Sequence, residues 1–106
     1  MKTCKMSPSQ LCNILEVDGA VVGFYDLDAA AYFKEHYSQL GYQVEIKPDI
    51  GNIKDIEISK SSDFAIRESN GKWILYVDNI SIYFNNSAAI DYFNKHYTKL
   101  GYSKKS

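Results

Sequence analysis

The sequence predicts an α+β domain: a mostly antiparallel sheet with two helices packed on one face, formed by internal duplication of a β-hairpin–α unit. Three observations carry that prediction. Shifting the chain by 60 positions lays residues 14–42 on residues 74–102 without a gap, and thirteen of the 29 aligned positions are identical. Average composition gives about two such identities by chance. Each copy opens with short apolar, β-branched runs joined by a turn signal, and each closes with the same aromatic helix motif. Searching for repeats comes before any local assignment, because a repeat constrains every element inside it.

The elements follow in order. Ile14-Leu15-x-Val17 and Ile74-Leu75-x-Val77 are short strands. Asp18-Gly19 and Asp78-Asn79 supply the positive-φ pair that a type I′ turn needs. The return strands, Ala20–Tyr25 and Ile80–Asn85, are rich in Val, Ile, Tyr and Phe, residues that fit a pleated, half-buried surface. The second alternates, with Ile80, Ile82 and Phe84 on one face and Ser81 and Tyr83 on the other. Helix starts are expected at Asp28 before Ala29 and at Ser87 before Ala88. Both helices should run to Leu40 and Leu100 and stop at Gly41 and Gly101, suited to the left-handed C′ position.

The helix motif repeats whole: Tyr32, Phe33, His36, Tyr37, Leu40, Gly41 and Tyr42 recur as Tyr92, Phe93, His96, Tyr97, Leu100, Gly101 and Tyr102. Counted from Ala29, the helical identities fall at steps 0, 3, 4, 7, 8 and 11, one face of a 3.6-residue helix. Between the copies, Gln43–Lys47, Ile53–Ile58 and Phe64–Arg67 read as strands, and Asn70-Gly71 turns the chain into Trp73–Val77. At the front, Ser7-Pro8-Ser9-Gln10 has the form of a helix start, which allows a short helix over residues 8–13.

At 106 residues the chain is expected to be a single domain over 1–106. A hydrophobic content of 45% and a charged content of 24% are ordinary globular values. A net charge of -1 disfavours a nucleic-acid partner, since such binders carry a basic excess. No apolar run reaches the length of a membrane-spanning helix, and no membrane partner is expected. The first residues carry lysines without a following apolar stretch, so a cytoplasmic protein is expected. Cys4, assigned to a frayed end, and Cys12, read as a small buried hydrophobe, complete no zinc pattern.

Catalytic chemistry has few candidates. His36 and His96 occupy equivalent places, and the repeat could bring them together, but Tyr32 or Tyr92 stands four residues before and Leu40 or Leu100 four after. That spacing offers no second ligand, so no metal and no cofactor are expected. Serines lack a nucleophile elbow, and glycines form no phosphate loop. Asp49, Asp55 and Glu57 are interleaved with Lys47 and Lys54, the pattern of a solvated edge.

The nine tyrosines are the unusual feature. Tyrosine is enriched at protein interfaces because it joins a large apolar ring to one polar tip. Tyr32 and Tyr92 precede Phe33 and Phe93 by one residue, about 100° around the helix, with His36 and His96 one turn further on. These four are the predicted partner-binding residues.

Two resemblances accompany this reading. Val22-Gly23-Phe24-Tyr25, the Ala-rich helix ending Leu40-Gly41-Tyr42 and the strand Gln43–Ile46 resemble half of a SPOR domain, which implies peptidoglycan glycan binding; the second copy has Tyr83 in place of the glycine. The helix also resembles the Phe-Tyr-x-x-x-Leu-Gly stretch of vicinal oxygen chelate modules, which implies metal ligands on the strands, where Ala20–Tyr25 carries neither His nor Glu. The chain is assigned to neither family. The resulting expectation is a small non-catalytic protein-binding module, an inhibitor or immunity-type product of the accessory genome that occludes a partner protein and forms a homodimer. The alternatives are a small-molecule or metal-dependent enzyme resembling the chelate modules, and a structural homodimer.

Overall fold

The computed structural model describes residues 2–105. The chain folds as β1 (Thr3–Pro8), β2 (Asn13–Val17), β3 (Ala20–Phe24), α1 (Leu27–Gln39), β4 (Gln43–Ile46), β5 (Asp63–Ser69), β6 (Lys72–Val77), β7 (Ile80–Phe84), α2 (Ala88–Lys99) and β8 (Ser103–Lys104). These strands form one sheet in the order β4-β1-β2-β3-β7-β6-β5-β8. Pairing is antiparallel except at the two margins, where β1 with β4 and β5 with β8 run parallel. The class is therefore α+β with a mixed eight-stranded sheet and two helices.

Hairpin turns fall where the sequence places them. Asp18, Gly19, Asn70, Gly71, Asp78 and Asn79 all have positive φ, the geometry that matches the right-handed twist of the flanking strands. Gly41 and Gly101, with φ of 90° and 98°, close the helices one residue beyond the caps Leu40 and Leu100. α1 begins earlier than expected, with Asp26 at its cap and Asp28 inside the first turn. β3 and β7 meet only at Phe24 and Phe84. Beyond that pair the Asn86 side chain substitutes for ladder backbone, accepting from Gly23 N and donating to the Val21 carbonyl. A Cβ at Gly23 would displace the exposed Asn85 side chain.

The inner face of the sheet carries Leu15, Val17, Val22, Phe24, Leu75, Val77, Ile82 and Phe84, all buried against the helix faces bearing Phe33 and Phe93. The opposite face is uncovered and exposes Val21, Tyr76 and Tyr83.

Several expectations are corrected. Residues 8–13 hold no helix: Thr3–Pro8 is a strand and the following bend is closed by Ser9 N donating to the Cys12 carbonyl. Pairing with both β2 and β4 fixes this segment as extended backbone. Cys4 is buried on β1 rather than frayed, and burial, then the charge of Asp18, pushes its thiol up to about 11. Cys12 is only half-buried in the bend. Residues 53–58 form no strand, although their alternation is real. Ile53, Ile56 and Ile58 pack on the core as an extended strap without a ladder partner.

Candidate functional site

The two identical helix faces do not lie on an exposed flank. They face each other. Phe33 stacks on Phe93 at 6.3 Å between centroids, and His36 meets His96 at 5.1 Å. Tyr32 pairs with Tyr97 and Tyr37 with Tyr92 through their hydroxyls, at 2.8 and 2.6 Å. Like positions meeting at two successive turns, flanked by contacts five residues apart, is the pattern of helices side by side in one direction. Both C-terminal ends therefore lie at the same end of the pair.

Each hairpin turn delivers a carboxylate to this end. Asp78 accepts from the hydroxyls of Tyr32 at 2.7 Å and Tyr102 at 2.8 Å. Asp18 accepts from Tyr42 at 2.8 Å and Tyr92 at 3.3 Å. The proton order follows from donor capacity. Since Tyr32 donates to Asp78, its oxygen accepts from Tyr97 and faces His36 Nδ1 at 3.5 Å. His36 Nδ1 then carries the proton, and His36 Nε2 accepts the 2.8 Å bond from His96 Nε2. Burial holds both imidazoles down at about 4, with the His96 ring next in importance at His36 and the Asp18 charge working the other way at His96. Burial likewise raises Tyr32, Tyr37, Tyr92 and Tyr97 above the ordinary phenol range. At neutral pH the cluster is a set of neutral hydrogen-bonding groups anchored on two aspartates.

The predicted site residues separate into two pairs. Tyr32 and His36 are 1% and 4% exposed, so the expectation that they form part of an accessible strip is corrected. His36 is enclosed by the rings of Tyr32, Tyr37, His96 and Tyr97, whereas Tyr32 lies against the strap. The strap follows α1 along its length: Gly51 approaches Leu27, Asp55 pairs with Lys34 at 3.1 Å, and Ile56–Ser59 share a cavity wall with Tyr32. Ser61 then bonds Asp78 through its backbone N–H at 2.8 Å. Tyr92 and His96 are only half-buried. They line an open cleft of about 370 Å³ with Lys2, Asp18, Leu40, Tyr42, Lys95, Lys99 and Leu100.

Asp18 and Asp78 were read from sequence as turn residues alone. The available signal was their identity in both copies while the neighbouring turn residue changes from Gly19 to Asn79. Lys95 and Lys99 left no such signal, because the copies differ there, and Lys2 lies outside the repeated segments. Among the described residues no group of three or more His, Cys, Asp or Glu side chains is placed to hold a metal ion. Nor, among the described residues, is any helix long and apolar enough to cross a membrane. The chain matches no family model, no curated protein and no solved structure.

Proposed function

We propose that this chain is a non-catalytic protein-binding module that works in the cytoplasm by occluding a partner, in the manner of an inhibitor or immunity protein. The observation that supports the reading is the contrast between the two ends of one hydrogen-bonded cluster. At one end the strap covers Tyr32 and leaves a smaller cleft of about 270 Å³ at His36, Leu40, Leu100 and Tyr102, while the other end opens between Tyr42, Tyr92, Leu40 and Leu100. The titratable groups behind that opening are committed to one another, and their shifts leave the imidazoles unprotonated and the phenols un-ionised near neutrality. Effective general acid–base groups lie near the working pH, and these do not. Preordered tyrosine and leucine around a cleft suit partner binding, since little side-chain entropy remains to be lost. Leu100, 39% exposed at the rim, is free to contact a partner.

The test is stoichiometric capture. Immobilised wild-type chain should retain one protein from its source cells at a fixed ratio, and Leu100→Asp should lose it while melting near the wild-type temperature. Tight binding of a divalent ion, or retention of no protein in fixed ratio, rejects the reading.

A further inference from the structure

We propose that the open cleft beside α2 takes an extended, acidic–apolar peptide segment of the partner protein, which covers Tyr92 as the strap covers Tyr32. This rests on the protein-binding reading and names the chemistry of the bound segment.

The argument compares two corresponding environments within one molecule. Tyr92, His96, Asp18 and Tyr42 on the open side correspond to Tyr32, His36, Asp78 and Tyr102 on the closed side, with corresponding hydroxyl–carboxylate bonds. The correspondence extends to the chain entering each sheet margin: Gln43 N donates to the Lys2 carbonyl, and Ser103 N to the Ser62 carbonyl. On the closed side Tyr32 and Asp78 are flanked by Asp55-Ile56-Glu57-Ile58-Ser59, extended chain whose isoleucines turn inward while Asp55 and Glu57 stay exposed. Among the described residues no segment takes that place beside Tyr92. The molecule therefore carries, in its own strap, a working example of what fits such a flank.

Charge then sets the preference. The open cleft has Lys2, Lys95 and Lys99 where the closed side has Ser62, Glu35 and Gln39. Lys for Ser adds one positive charge, Lys for Glu two and Lys for Gln one, and Lys60 beside His36 on the closed side offsets one of these, leaving a difference of three. Both clefts lie at helix C-termini, so the helix dipole affects them alike and does not account for the difference. Asp18, the one carboxylate in the open cleft, already accepts two tyrosine hydroxyls. A segment with apolar residues alternating with Asp or Glu would lay its apolar side chains on Tyr92, Leu40 and Leu100. Its carboxylates would then reach the lysine rim, which also speeds encounter at low salt.

The probe is the acetylated, amidated peptide Asp-Ile-Glu-Ile-Ser, copied from residues 55–59, titrated into the ¹⁵N-labelled chain. Saturable shifts are expected at Asp18, Tyr92, Lys95 and Lys99. The charge-reversed peptide Lys-Ile-Lys-Ile-Ser should bind at least about tenfold more weakly, as should the acidic peptide to the Lys95→Glu/Lys99→Gln variant, about 1.4 kcal/mol or more in each case. Lack of saturation at millimolar peptide, equal binding of both peptides, or shifts confined to the Tyr32 flank would overturn the proposal. Inorganic phosphate displacing the peptide at equal concentration would also overturn it, leaving a small-anion site. Should the double variant still capture the cellular partner, this cleft is wrong while the protein-binding reading stands.

Discussion

Acidification is the perturbation that tests the centre of the cluster most directly. Both imidazoles sit at about 4 in the folded chain against 6.5 when free, chiefly through burial. Between pH 6.5 and 4 the unfolded chain thus binds more protons than the native one. Native stability is fully present above pH 6.5 and is lost as pH falls toward 4. Moving one imidazole over that interval corresponds to about 3 kcal/mol. Two independent histidines would double it, but these share one contact of 2.8 Å. A first proton held between the two Nε2 atoms makes a charge-assisted bond that offsets part of the penalty, and a second meets a like charge at that distance. The expected loss by pH 4 is therefore nearer about 3 than about 6 kcal/mol, a large share of the stability of a small domain. Two-dimensional NMR of the ring Cε1 protons reads the midpoints directly, and urea unfolding at pH 7.5, 5.5 and 4.5 reads the stability. Ring midpoints between 6 and 7, or unfolding free energies unchanged over this range, would refute the placement of the pair.

The remaining predictions concern packing and association. Phe33→Ala and Phe93→Ala each remove a fully buried ring from the same stack and should cost about 3–5 kcal/mol, read by urea unfolding. Tyr97→Phe leaves the ring and deletes the hydroxyl that donates to Tyr32, so a loss of about 1–2 kcal/mol is expected without change in fold. Tyr32→Ala should melt well below Tyr92→Ala, because only Tyr32 lies under the strap; equal melting temperatures would show that the strap does not cover it. A homodimer is proposed through the sheet margins at β4 and β8, with little net charge to keep copies apart; a 12 kDa species alone in sedimentation at micromolar concentration would reject it.

Much of this architecture is legible in the residues themselves. Asp-Gly, Asp-Asn and Asn-Gly fix the hairpins because so few residues accept positive φ, and Gly41 and Gly101 end the helices for the same local reason. The repeated aromatic stripe declares one buried face per helix, since only a common environment keeps Tyr, Phe and His at steps 3, 4, 7 and 8 in both copies. What the stripe packs against is not a local property. The sequence reading gave part of it to the sheet and part to a partner, whereas the fold presses the two stripes together and thereby turns His36 and His96 into a pair. The strap differs from the expected strand for a related reason: alternation at Ile56 and Ile58 marks one buried side of an extended segment, and the same pattern arises whether a strand or a helix lies beneath. Tertiary structure alone decided that this strap would cover Tyr32 and leave Tyr92 half-exposed in a cleft. That outcome depends on where a long connection crosses the molecule, and no periodicity within the connection encodes it.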